Sequence, residues 1–359
     1  MKNTAKIFLL TISLSAWSQQ HTVLKIPTVD KRIEILSIAF RLAEAWEYNS
    51  SEFTDYVNQI QKHYADFKDH ELIEYIKLIR KKKDIGYDSV MSFAINITDP
   101  PTMKPLVPFS EVIPDKRWGL KTSRHFLALL NTFYRDTDSD LFFDEQAKMY
   151  QVALERFQSV HNDINHDWYT EFYGESPKGE YKTVIAAGIG DKGYGPKMTM
   201  PDGKEVIYAV IGISELDSGG LPLFNKEYFF PTVLHEFNHS FVNHLVYKHE
   251  QDLANSGQII FSKLKLKMNE QGYSSWQIMY AEALIRASVV KYMIDNGFNQ
   301  RLIQAEIIEQ LENGFVWTED LVQELIRYDK NRELYPRFEN FMPELVSFFN
   351  REAQSLKHK

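Results

Sequence analysis

The sequence predicts an α+β fold: a small mixed sheet leads into one apolar helix, with helical regions on either side of the pair. Three observations carry this expectation. Apolar residues recur at helical spacing over residues 30–83 and again from residue 274 onward. Two short segments rich in Val and Ile, Lys182 to Ala187 and Val206 to Ile213, read as strands. Between the second strand and the C-terminal helices, Phe229 to Tyr247 is apolar on nearly every side, as a helix inside a core must be.

In chain order, Met1 to Lys6 carries two lysines, Ile7 to Trp17 is a short apolar run, and Ala16-Trp17-Ser18 offers a small-x-small cleavage site before Gln19. Residues 1–18 therefore read as a signal peptide, which makes the expected location periplasmic or secreted. The remaining chain contains no apolar run near the ~18 residues a membrane helix needs, so no stable membrane insertion is expected. Cysteine is absent, so the core or a bound metal must stabilise an exported chain without disulfides. A formal net charge of −8 argues against nucleic acid or an anionic membrane surface as a partner.

Residues 19–134 read as an N-terminal helical region with a proline-rich connector. Ile33, Leu36, Phe40 and Leu42 form one stripe; Phe53, Tyr56, Ile60 and Tyr64 a second; Leu72, Ile73, Ile76 and Ile79 a third. Arg80 to Lys83 ends the last of these, where cations complement the helix dipole. Pro100, Pro101, Pro105, Pro108 and Pro114 mark 96–118 as an extended connector, and a helix is expected over 123–134.

Residues 135–260 read as the sheet plus the apolar helix. Asp136, Asp138 and Asp140 resemble the start of a calcium loop. Leu141 stands where such a loop needs Gly and Ala147 where it needs Glu, so an acidic turn capping a helix over 143–161 is expected instead. Trp168, Phe172 and Tyr173 read as core. Gly188, Gly190 and Gly193 match G-x-G-x-x-G, but a strand follows rather than a helix, so this is a turn between strands. Residues 214–223 read as a loop and the stretch after Tyr247 as polar. Residues 261–359 form the C-terminal helical region: a helix over 274–294, then a helical pattern over 300–349 broken at Asn313-Gly314 and Tyr335-Pro336.

The apolar helix carries His235-Glu236-Phe237-Asn238-His239, an H-E-x-x-H pattern. Residues i and i+4 share a helix face, so His235 and His239 can point at one ion, with Glu236 in reach of a water bound to it. Pro231 is expected near the first turn, where helices tolerate proline. Catalytic zinc takes three protein ligands and one water, so a third ligand is needed. Positions 242 and 245 are Val and Leu, which rules out the longer histidine-ended pattern. His244 is turned off the metal face, His249 and Glu250 lie too far along the helix, and Asp252 is a weak alternative. Glu282, 43 residues after His239 (282 − 239), is the lone charge from Ile278 to Ile285. A carboxylate is costly to bury there unless it is paired or bound to a metal. Glu282 is thus the expected third ligand of one Zn²⁺, with Arg286 one turn on as its ion-pair partner or orienter. Tyr273, Tyr280, Tyr328 and Tyr335 are available to stabilise an oxyanion, and the sequence does not choose among them.

An H-E-x-x-H helix followed by a glutamate on a later helix resembles the gluzincin branch of zinc metallopeptidases. More specifically, Arg32 to Ala43, His235 to Asn243 and Glu282 to Ala287 resemble stretches of a bacterial exported family labelled domain of unknown function 4932, over most of the mature chain. The gap to Glu282 is longer than in the best-known gluzincins. The resemblance implies a zincin-like fold and a zinc-dependent peptidase acting on a peptide or protein, with Glu236 as general base. By the same analogy, the strand at 206–213 is expected to be an open edge where an extended peptide pairs. The alternative is an inactive zinc-containing exported binding or interaction protein.

Overall fold

The computed structural model describes residues 24–176 and 179–357; the expected signal peptide lies outside the described residues. The chain opens with strand β1 (Leu24–Val29), then α1 (Lys31–Leu42), α2 (Thr54–His63), α3 (Glu71–Lys83), α4 (Asp88–Ile95), α5 (Gly119–Asp136), α6 (Ser139–Asn162) and α7 (Asp167–Tyr173). The strands β2 (Gly179–Ala186), β3 (Gly193–Tyr194), β4 (Lys197–Thr199), β5 (Glu205–Gly212), β6 (Glu215–Leu216) and β7 (Pro222–Leu223) come next. Six helices complete the described chain: α8 (Lys226–Lys248), α9 (Glu250–Glu270), α10 (Trp276–Asp295), α11 (Gln300–Glu312), α12 (Thr318–Lys330) and α13 (Phe338–Lys357). The fold is thus mixed α+β, with thirteen helices among the described residues around a small mixed sheet. None of these helices is long and apolar enough to cross a membrane.

The sheet runs β1-β2-β5, all parallel, with β3 and β4 both antiparallel on the far side of β5. Parallel strands covered on both faces need apolar residues throughout, which accounts for the unbroken run in β5, buried from Val206 to Gly212. The expected open edge at 206–213 is therefore corrected. β5 is central, and the edge belongs to Gly193–Thr199. The opposite edge, β1, is blunted by Pro27, which withholds an N–H, and by a register shift between Lys25 and Thr28.

Several local expectations change. The acidic turn does join α5 to α6, but Asp138 takes a left-handed conformation (φ 48°) and its side chain makes no capping bond. The stretch after the H-E-x-x-H helix is polar yet helical: α9 buries one narrow face, from Leu253, Ser256, Gly257, Ile260 and Met268. Gly257 is required there, since a Cβ would lie 2.4 Å from the Trp276 ring. Within the proline-rich connector, Ile97 bridges Pro105, and α5 begins at Gly119 rather than near 123. The cationic end of α3 is fastened as well as placed: Arg80 pairs with buried Glu47, and Lys83 donates to the Trp118 carbonyl at 2.8 Å.

Helix α8 packs between β5 on one side and α10 on the other. Its rotation is fixed by a block of aromatic rings. Tyr173 stacks on Phe241 at 4.3 Å between ring centroids, Tyr169 stacks on the same ring at 5.5 Å, and Tyr181 meets Phe237 edge-on at 4.9 Å. Two of these rings also tie the helix by hydrogen bonds: Tyr173 OH donates to Asn238 Oδ1 at 2.7 Å, and Tyr181 OH lies 2.9 Å from Ser240 Oγ. Trp168, Phe172 and Tyr173 are all buried, as core residues should be.

Candidate metal centre

Helix α8 starts at Lys226, capped by Asn225, whose Oδ1 accepts from the Glu227 N–H at 2.9 Å. Pro231 consequently falls inside the helix rather than in its first turn, where it withholds the N–H that would bond four residues back. The helix continues because both flanks are packed. His235 and His239 then lie one turn apart on the same face, their ring centroids 4.9 Å from each other.

Helix α10 delivers Glu282 to that face. Its Oε2 is 3.3 Å from His235 Nε2 and its Oε1 3.7 Å from His239 Nε2. Metal bonds of about 2.0–2.1 Å in a tetrahedral arrangement put neighbouring ligand atoms roughly 3.3–3.4 Å apart. The three donors, all within 4.8 Å of one another, are thus spaced to hold a metal ion. The second nitrogen of His239 supports this: Nδ1 faces Asn243 Oδ1 at 3.2 Å, and an amide oxygen can only accept. That bond puts the proton on Nδ1 and leaves Nε2 free to donate its lone pair. Burial works to raise the pKa of Glu282, but the two histidines and Arg286 outweigh it and hold the carboxylate ionised far into acid.

Behind Glu282 stands a second layer of side chains. Tyr273, from the turn between α9 and α10, donates its hydroxyl to Glu282 Oε2 at 3.0 Å. Arg286 Nη2 donates to the same hydroxyl at 2.7 Å and lies 3.5 Å from Glu282 Oε2. The guanidinium lies over the Phe315 ring at 4.8 Å and donates from Nη1 to Gln310, which in turn donates to Glu306. Arg286 is thus within ion-pair distance of Glu282 and also bonded to the tyrosine that holds it. Of the four tyrosines, Tyr273 alone borders the donors. Tyr280 and Tyr328 are in the core, the latter donating to the Phe172 carbonyl, and Tyr335 packs edge-on against Phe341.

Glu236 is 6% exposed, with Oε2 3.8 Å from His239 Nε2, beyond hydrogen-bond distance. Burial raises its pKa, and the neighbouring histidines offset only part of that rise. Its cover is the edge strand. A Cβ on Gly193 would lie 3.0 Å from Glu236 Oε1, and one on Gly195 would lie 2.7 Å from Oε2. Tyr194, between them, turns the other way and stacks on Tyr48 at 6.5 Å. The glycine-rich segment is a turn between strands, as expected, but its last glycine, Gly193, and Gly195 just beyond it do more than turn the chain. They let bare backbone lie on Glu236, and their spacing of two was the visible signal.

The other ligand candidates are placed elsewhere. His249 pairs with Asp252 at 3.7 Å where α8 meets α9, Glu250 accepts from Gln277 at 2.7 Å, and His244 is exposed.

No curated protein and no solved structure matches this chain. A family model does match, over residues 25–348, which takes in the sheet, α8, Glu282 and the second layer behind it. The chain belongs to the family described as domain of unknown function (DUF4932).

Proposed function

We propose that this chain is an exported, zinc-dependent metallohydrolase that cleaves peptide bonds, with a zincin-like arrangement of edge strand, metal helix and third-ligand helix. One observation carries the reading: three donors suited to zinc converge from α8 and α10, and a buried carboxylate, Glu236, adjoins them with no side-chain hydrogen bond of its own among the described residues. His235, His239 and Glu282 would hold the ion. When bound, zinc lowers the pKa of a coordinated water toward ~7 and polarises the scissile carbonyl. Glu236 takes the proton of the attacking water and passes it to the leaving amine, a role for which a burial-raised pKa suits it. Tyr273 gives its one hydroxyl proton to Glu282 Oε2 and would serve to orient that ligand. An extended peptide would pair with Gly193–Thr199, the strand whose outer edge is not taken by β5.

The test is hydrolysis of a fluorescently labelled unfolded protein by the zinc-loaded mature chain and by Glu236→Gln. The variant should keep its zinc and lose at least about 100-fold in rate, the low end of what a general base contributes. Turnover by Glu236→Gln at the parent rate would remove Glu236 from the mechanism. A zinc-loaded parent that cleaves nothing would favour the exported binding-protein alternative.

A further inference from the structure

With glycine at two of its first three positions, the strand covering Glu236 is held by its pairing with β5 and by Tyr194. A further anchor lies upstream and comes from the other end of the chain. Glu34, on α1, is fully buried. Its Oε1 accepts from the Ala187 N–H at 2.7 Å, and its Oε2 accepts from Tyr56 OH at 2.5 Å. Tyr56 OH is in turn 2.8 Å from Tyr150 OH, so α1, α2, α6 and the turn Ala187–Ile189 meet at one carboxyl.

That turn has no slack. A Cβ on Gly188 would lie 2.9 Å from Ser37 Cβ on α1. Gly190, at φ +65°, is pressed against Ser50, and its carbonyl lies 1.9 Å from where a Cβ on Gly212 would be. Three residues on, Gly193 pairs with Ile211 of β5 and meets Glu236. A shift at Ala187 therefore reaches the cover of the site over a short, tightly packed path.

Glu34 is also a poor choice for stability. Among the described residues it has no ion-pair partner, and a buried carboxylate held only by neutral donors is costly. Burial raises its pKa to about 7. Around it stand Asp30 at the α1 cap, engaged with Arg32; Tyr56, Tyr64 and Tyr150, whose phenols burial moves further from neutrality; and Arg41 near Tyr56, which stays charged. Burial thus moves Glu34 toward neutral pH and moves the three phenols away from it.

We propose that Glu34 is a positioning residue for the candidate site: its carboxylate fixes the turn Ala187–Ile189 and so sets the height of Gly193–Gly195 above Glu236. The part concerning catalysis rests on the peptidase reading; the clamp itself does not.

The experiment is amide hydrogen exchange by mass spectrometry on the zinc-loaded mature chain, in parent, Glu34→Gln and Glu34→Asp, from pH 6 to 8, with rates corrected for intrinsic exchange. Glu34→Gln keeps the volume and one acceptor but loses the charge; Glu34→Asp keeps the charge but shortens the reach. At pH 8 both should speed exchange across 187–195 by about tenfold or more and leave α12 unchanged. In the parent, protection of 187–195 should fall as pH drops through about 7, and in Glu34→Gln that pH dependence should vanish. Hydrolysis of the labelled protein should lose the same pH step. Exchange in 187–195 that is identical in parent and both variants at every pH would overturn the proposal. Loosened exchange in a chain whose parent hydrolyses nothing would support the clamp and overturn the peptidase reading alone.

Discussion

Alanine at position 195 is the smallest change that should disable the site while leaving its donors in place. A Cβ there would lie 2.7 Å from Glu236 Oε2, 3.1 Å from the Glu236 carbonyl oxygen and 3.3 Å from His239 Cδ2, whereas ordinary contact begins at 3.4 Å. The carboxylate must therefore move by about 0.7 Å (3.4 − 2.7), and the strand must lift by about 0.3 Å (3.4 − 3.1) off the α8 backbone. The helix cannot yield instead, because stacked Tyr173, Tyr169 and Phe241 hold its rotation. Overpacking of this kind costs about 1–3 kcal/mol, and misplacing a catalytic group by about 1 Å costs on the order of 100-fold in rate. The assay is thermal melting, zinc content and turnover of the labelled unfolded protein, side by side. Gly195→Ala should melt lower, keep its zinc and lose most of its turnover. Gly203→Ala is the control: φ is +85°, so alanine is strained, but nothing lies within 4 Å of the added Cβ. It should lose stability and keep turnover. Gly195→Ala with the parent's melting temperature and turnover would mean that the strand does not rest on Glu236.

The other predictions concern the donors, the layer behind them and the buried carboxyl on α1. Glu282→Ala should reduce zinc from one per chain to a small fraction after dialysis, measured by elemental analysis; full retention would point to a different third ligand. Tyr273→Phe removes the hydroxyl that orients Glu282 and should weaken zinc about 10–100-fold in competition with a chromophoric chelator; unchanged affinity would reduce Tyr273 to packing. Glu34→Gln should make the fold more stable above neutral pH. The folded pKa of about 7 lies above the ordinary 4.5, so between those values the folded chain binds the extra proton and stability falls as pH rises. Above pH 7 the carboxylate therefore costs roughly 3 kcal/mol, which Gln avoids. Urea melts at pH 5 and pH 8 should show a gain for the variant at pH 8 only, and equal gains at both would contradict this origin.

What the sequence revealed was mostly local. His235 and His239 could be paired on paper because i and i+4 share a helix face, and Glu282 stood out as one charge among apolar neighbours. Glu34, between Ile33 and Ile35, carried the same kind of signal, but Arg32 close by made it resemble an ordinary polar edge of a helix. Strand β1 was hidden by Pro27, and α9 by a buried face made of Ser256 and Gly257 as much as of Leu and Ile. The role of Gly193 and Gly195 could not be read without knowing that β3 and β4 both pair with β5. That pairing, like the move of the sheet edge from β5 to Gly193–Thr199, is a long-range fact that no window of neighbouring residues contains.

The bond between Glu34 and Ala187 spans 153 positions in the chain, whereas the helices that carry the three donors, α8 and α10, lie in its second half. Contacts that close such large loops form slowly, after nearby helices have already docked. Helices α8 and α10 can thus meet, and their three donors gather, before the strand above Glu236 is fastened. Gathering the donors and fastening the strand over Glu236 would then be separate stages of folding, in that order.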